Sequence, residues 1–367
     1  WPPLLPEASR HSSASAPSDE GMTTVMQRCG GHITLLFTVD KTNALSRSQG
    51  SKGAGFSIHH GVKATGTLHR RPTATTEPMA GIKPDTPLQK QTPEPSVVTV
   101  RNMHDEHIEQ IDLYLDFIEA CHDATLLRDD EHVDIDIQIE CPTSQGFGMS
   151  AAGLIAVGRV IHALTGRGRP TQYLKIAHRI ERLHGAGLGD VLGASVGGVE
   201  LRLAPGAPGW PGQATSFEAT VPVLLAWDPT EERHTSTYID DPDWQRSITA
   251  AGEEGVAALA AEPWSEARWA DLLREARTFA AASGMLEEDE RVRIHRSTLL
   301  AVQDGGWQAT MAVRLCMLGS SVAVLPRNLD KHPTERELEA LAAGVRERGY
   351  ACLITSIAPV SRPDSGG

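Results

Sequence analysis

CPTSQGFGMSAAGLIAVGRVIHALTG, residues 141–166, decides the reading of this chain. A glycine-rich turn runs straight into an apolar helix that stops near Gly166. Just before it, VDIDIQIE alternates Val133, Ile135, Ile137 and Ile139 at period two, the pattern of a half-buried strand. Strand, glycine loop and helix together cradle phosphate: glycines let the backbone approach an oxygen-rich group, and the helix N-terminus offers unpaired N–H groups and a positive dipole end. Ser150 stands where its hydroxyl could join a metal ion or a phosphate. No Lys follows in a GKS/GKT pattern and no GxGxxG fingerprint is present. Taken alone, such a turn serves equally well as a plain structural bend.

Upstream, HIEQIDLYLDFIEACH places Ile108, Ile111, Leu115 and Ile118 at helical spacing. The stretch 70–95, rich in Pro and Thr with almost nothing to bury, reads as an exposed, mobile insertion. Before it, a glycine-rich loop spans Gly50 to Gly55 and leads into FSIHHGV, and the short apolar run Ile33 to Val39 reads as a buried strand. Residues 1–25 read as a disordered extension, with Met22 or Met26 as the expected start.

Downstream, Thr171 is the expected N-cap of a helix that turns Tyr173, Ile176, Ile180 and Leu183 one way, with His178 and Glu181 on a flanking face. AGLGDVLGASVGGVELRL then passes through glycines into a strand with Val199, Leu201 and Leu203. The Pro/Gly-dense segment 204–213 marks a boundary, giving a first domain over 26–205 and a second over 214–367. The second half reads as strand VPVLLAW, Ala-rich helices, a helix opened by the capping pair Thr334 and Glu337, and a strand ACLITSIAP. Strands and helices mixed in this way give two α+β domains.

The chain has 367 residues, and its 34 Lys+Arg against 47 Asp+Glu give a formal charge of −13. Polyanion binding leans on clustered cations, so this balance argues against a nucleic-acid reader. No apolar run reaches the roughly 20 residues needed to cross a bilayer. Five scattered cysteines without a CxxC pair suit neither a zinc site nor a disulfide framework, and a reducing cytoplasm is the simplest home.

Two further constellations carry chemistry. Glu181 and Asp190, nine positions apart, could divide labour between holding Mg²⁺ and accepting a proton from an attacking hydroxyl, or be two solvated acids. The late turn Met317-Leu318-Gly319-Ser320-Ser321 could admit a ligand or another backbone closely. The histidines, His59-His60 among them, show no metal spacing with a third ligand and read as surface or core residues.

In order, these pieces resemble the GHMP kinase superfamily. Its P-x-x-x-G-L-G-S-S-A-A motif is similar to Pro142–Ala152, its acid after a G-x-G-x-D turn to Asp190, and its late glycine motif to 317–321. The details HIT-x-x-F at 32–37, GS-x-GAG at 50–55 (here with Lys52), GFGMSAAG at 146–153 and GLGDV at 187–191 resemble the archaeal pantoate kinase branch. The resemblance implies an N-terminal domain like ribosomal protein S5 and a ferredoxin-like C-terminal α/β domain. It also implies ATP and Mg²⁺ as cofactors, pantoate as substrate and, since dimers are common in the superfamily, a homodimer.

By the same resemblance, Pro142, Gly146, Phe147, Gly148, Met149, Ser150, Ala151 and Ala152 bind the nucleotide. Ser150 and Glu181 hold the metal, Asp190 is the base, and Ser51, His178 and Arg202 meet the acid substrate. A guanidinium fork suits a carboxylate on its own chemistry. Three rivals stand beside this reading: a sister kinase for shikimate, homoserine or mevalonate, a silent ligand sensor of the same fold, and a NAD-dependent dehydrogenase.

Overall fold

A computed structural model describes residues 23–71, 95–230, 242–317 and 319–361. The expected extension up to residue 22, most of the insertion at 70–95 and Leu318 lie outside the described residues.

Two long strands, β1 (Thr24–Phe37) and β2 (Gly53–Arg70), pair antiparallel from Thr24↔Thr67 to Phe37↔Gly53. The stretch Gly50–Gly55, expected as a loop, is half strand. A Cβ on Gly55 would lie 2.0 Å from the Ile33 carbonyl oxygen, so that glycine lets two strands close rather than turn. Further along, β2 also pairs with β4 (Glu131–Ile139), and near its start with β5 (Val199–Ala204). β3 (Val97–Arg101) runs parallel to β4, and β6 (Gln213–Phe217) pairs with β5 to complete a six-stranded sheet. Since β6 belongs to this sheet, the boundary expected at 204–213 falls inside the first unit.

Helices α1 (Asp112–Asp123), α2 (Met149–Thr165), α3 (Pro170–Leu183) and the short α4 (Asp190–Val196) belong to this unit. α2 lies on β1 and β2 and is built of Ala, Gly and Val because it is buried almost all round. Gly166, with φ +64°, closes it as expected. The start of α3 is earlier than expected: Pro170 opens it and the Arg169 N–H donates to Gln172 Oε1 at 2.7 Å, so Thr171 is already helical. Leu183 is 72% exposed, whereas His178 and Glu181 are fully buried. In α1 the core face is Tyr114, Phe117, Ile118 and Cys121, with Ile108 ahead of the helix.

The second unit is a four-stranded antiparallel sheet in the order β10-β7-β9-β8, the ferredoxin-like arrangement. It comprises β7 (Pro222–Trp227), α5 (Pro242–Ala260), α6 (Trp269–Ala282), α7 (Asp289–Asp304), β8 (Met311–Cys316), β9 (Ser321–Pro326), α8 (Glu335–Arg346) and β10 (Ala351–Ser356). Thr334 and Glu337 cap α8 reciprocally, at 3.3 and 2.8 Å. Core packing runs across the two units, with Phe37 of β1 against Phe279 of α6 at 5.6 Å and Phe147 against Trp227 of β7 at 5.9 Å. All five cysteines are free. Among the described residues, no helix is long and apolar enough to cross a membrane.

Candidate active site

The loop between β4 and α2 enters the helix through two glycines in the left-handed region, Gly146 at φ +76° and Gly148 at φ +67°. Neither could carry a side chain: a Cβ would meet the Met317 carbonyl oxygen at 2.7 Å from Gly146, and the His32 backbone N and O at 2.9 Å from Gly148. α2 begins with no side-chain cap on its first turn, so its leading N–H groups remain available to a ligand. The late turn closes on this loop from behind. Ser321 Oγ donates to the Gln145 carbonyl at 2.5 Å, the Met317 N–H donates to Thr34 O at 3.0 Å, and a Cβ on Gly319 would lie 2.1 Å from Gln145 O. Small residues there serve backbone contact between the two units.

Beside the loop lies a cavity of about 340 Å³. One side of it is Pro142 to Ser150 with the apolar Val100, Ile108, Leu113 and Tyr114, and the other is Thr34, Ser51, Gly189, Asp190 and Arg202. The structure thus brings together Pro142, Gly146, Phe147, Gly148, Met149, Ser150, Ser51, Asp190 and Arg202. Ala151 and Ala152, inside α2, are fully buried and set the helix against the sheet.

Ser150 Oγ donates to Glu181 Oε1 at 3.1 Å, while Glu181 Oε2 has no hydrogen-bond partner. Burial pushes the Glu181 carboxyl up to about 8, with the Asp190 charge adding to the shift and the Ser150 hydrogen bond opposing it. An uncompensated buried carboxylate oxygen next to a hydroxyl and a second carboxylate is a donor set suited to a hard divalent cation. Gly187 keeps room there, since its Cβ would lie 2.6 Å from Glu181 Oε1 and 3.0 Å from Asp190 Oδ2.

Asp190 opens α4 directly after Gly189. Its Oδ1 lies 2.8 Å from His32 Nδ1 and accepts from Thr34 Oγ1 at 3.4 Å. Burial alone would raise its pKa, but the His32 hydrogen bond and charge, with Arg202 beyond, hold it below the ordinary carboxylate value. His32 Nε2 lies 2.9 Å from Glu200 Oε1. For His32 itself, burial disfavours the charged ring, yet Asp190 and Glu200 outweigh it and raise the pKa. Arg202 completes the network: its Nε is 3.5 Å from Glu200 Oε1, and its Nη2 donates to Thr34 Oγ1 at 3.2 Å. Its Nη1 and Ser51 Oγ crowd the same point, 2.2 and 2.3 Å from where a Cβ on Gly189 would sit.

His178 is placed elsewhere. It is fully buried, and its Nε2–H faces Ser46 O at 3.3 Å and Gln49 O at 3.1 Å, so it holds the 46–49 segment leading to Ser51 and does not line the cavity. Burial pushes its pKa down to about 4. The sequence reading quoted His32 and Thr34 within the HIT-x-x-F motif without a role in the site, and did not single out Glu200. The signals were a His inside an apolar strand, and Glu200 and Arg202 alternating with Val199 and Leu201 in a strand buried on both faces. A histidine cluster was also missed: His69, His132 and Asp134 offer ligand atoms within 4.8 Å of one another.

Comparison with known proteins places this geometry in context. Residues 113–198 match the model of the GHMP kinases N terminal domain. The chain is 32% identical over 145 residues to a pantoate kinase of Thermococcus kodakarensis, covering 40% of this chain and 46% of that protein. It is 27% identical over 191 residues to a pantoate kinase of Methanospirillum hungatei, covering 52% of this chain and 58% of that protein. The matched part thus spans about half the length of these curated relatives. A solved structure described as a phosphotransferase related to the CoA biosynthesis pathway superposes with a TM-score of 0.67 at 22% identity, covering 94% of this chain and 100% of that one.

Proposed function

From a chain that carries a GHMP kinase N-terminal domain within the two-domain GHMP kinase fold, we propose an ATP- and Mg²⁺-dependent kinase that phosphorylates pantoate to 4-phosphopantoate, a step toward coenzyme A. The observation that carries this reading is the single cavity in which an uncapped helix N-terminus, an ionised Asp190 and a guanidinium, Arg202, converge. The names of the two curated relatives support the choice of substrate.

In this reading the N–H groups of residues 146–150 receive the nucleotide phosphates, and Ser150 with Glu181 holds the cation. When bound, ATP would supply the phosphoryl group, and a cation held by Ser150 and Glu181 would neutralise the charge that develops on it. Arg202 Nη1 and Ser51 Oγ hold the carboxylate of the acid, which fixes its hydroxyl near Asp190. With Oδ1 held by His32 and Thr34, Asp190 offers Oδ2 to take the hydroxyl proton. A base with a lowered pKa suffices, because a loose phosphoryl-transfer transition state asks for little proton abstraction until late. His178 acts at one remove, by fixing the segment that carries Ser51.

The test is incubation of the chain with ATP, Mg²⁺ and, separately, pantoate, shikimate, homoserine and mevalonate, following ADP release and the phosphorylated product. Turnover with pantoate alone is expected. Turnover with another member would keep the cavity roles and discard the substrate. Nucleotide binding without turnover on any of them would make the chain a ligand sensor.

A further inference from the structure

We propose that His32 is the positioning residue of this site: shared between Glu200 and Asp190, it fixes one oxygen of Asp190 and leaves the other free toward the substrate hydroxyl. This rests on the kinase reading for its consequence, and on geometry alone for its arrangement. The ring is fully buried, with nitrogen-to-oxygen distances of 2.8 Å to Asp190 and 2.9 Å to Glu200. A neutral imidazole has one N–H and one lone pair. Facing two carboxylates at these distances, it would set that lone pair against an anionic oxygen. The chain Glu200–His32–Asp190 therefore holds one proton at each junction. Glu200, fully buried, anchors the outer end, its Oε1 also lying 3.5 Å from Arg202 Nε.

The ring has no freedom to leave. A Cβ on Gly193 of α4 would lie 2.2 Å from His32 Nε2, so the helix backbone presses directly on the imidazole. The backbone of His32 is held as well, its N–H donating to Phe147 O at 3.0 Å, which ties the positioning residue to the glycine loop. Among the described residues, the charged groups facing the ring are Asp190 from α4 and Glu200 from β5, with Arg202 behind Glu200 and Glu181 of α3 beside Asp190. His32 thus sets the rotamer of Asp190 and offsets its charge without touching the substrate.

Two measurements on the full chain test this. Nitrogen-15 spectra of the histidine rings, with His32→Gln to identify its signals, should show both His32 nitrogens protonated at pH 7, and Glu200→Gln should return the ring to a single-proton form. In turnover, His32→Gln should lower kcat roughly 10- to 100-fold, the scale lost when the partner that orients a reactive group is removed. It should also move the acid limb of the kcat/KM profile to higher pH and leave the KM for ATP within a few-fold. A neutral His32 at pH 7, or an acid limb that does not move, overturns the proposal. If the unmodified chain turns over no member of the acid panel, the kinase reading fails while the ring spectra still decide the arrangement.

Discussion

The two sides of the cavity are made of different material. On the glycine side, Gly146, Phe147 and Gly148 present backbone, and no residue from Pro142 to Ser150 carries a charge. On the other side, Asp190 and Arg202 line the cavity and are linked behind it through His32 and Glu200, by contacts of 2.8, 2.9 and 3.5 Å in a nearly dry setting. A polyphosphate is held well by many weak, directed donors and a cation, which need shape more than charge. A small acid that must present one hydroxyl needs charges at fixed points, and buried charges are stable only when each finds a partner. The first side therefore tolerates no added atoms, and the second tolerates no removed partner.

The largest effect falls on the charged side. Asp190→Asn keeps size and hydrogen bonding to His32 but removes the acceptor of the hydroxyl proton, so kcat should fall roughly 10²–10⁴-fold with nucleotide affinity retained. Steady-state turnover beside a nucleotide-binding titration checks this. Full activity in Asp190→Asn would break the division between the two sides, because the charged side would then do no chemistry.

Next comes a crossed pair. Arg202→Ala removes a charge-assisted contact of about 1.5–3 kcal/mol, so the KM for the acid should rise roughly 10- to 100-fold with the KM for ATP nearly constant. Gly148→Ala should do the converse. It places a side chain at φ +67° and 2.9 Å from the His32 backbone, a strain of about 1–3 kcal/mol that shifts the loop and raises the KM for ATP roughly tenfold. Both KM values measured for both variants decide the matter. If each variant moved both constants equally, the two sides would be one binding surface.

The same contrast explains what could be read in advance. The glycine side was legible because its physics is local: turn, uncapped helix start and preceding strand all lie within residues 131–165, and the alternation of Val133 to Ile139 sits in β4 as expected. The charged side was half legible. Asp190 stood out with Glu181 from the residues themselves and Arg202 came from the resemblance, but the contacts of His32, Thr34 and Glu200 span separations of 156 to 168 residues, and no periodicity in one strand reports a partner in another. The glycines at 53–55 misled for the reverse reason, since glycine marks a turn and a close strand contact alike. The start of α3 moved because Pro170, restricted in φ and lacking an N–H, is as good an opening as a Thr cap.

The smallest effect belongs to His178, which the resemblance put against the substrate and the structure puts behind the segment carrying Ser51. Its imidazole titrates near 6.5 when the chain is unfolded and is pushed down to about 4 when folded. Below pH 6.5 the unfolded chain takes up a proton that the folded chain refuses. The stability tied to this group is thus whole above that pH and drains away as pH falls toward 4, by about 3 kcal/mol. Denaturation midpoints between pH 7 and pH 4 should fall less steeply in His178→Gln than in the parent chain, and equal slopes would refute the buried neutral ring. Activity sharpens the point. A side chain that only holds residues 46–49 should change the KM for the acid a few-fold at most, in step with looser protection of that segment in hydrogen exchange. A tenfold rise in that KM with the segment still protected would return His178 to the substrate, and the charged side of the cavity would then have a fifth member.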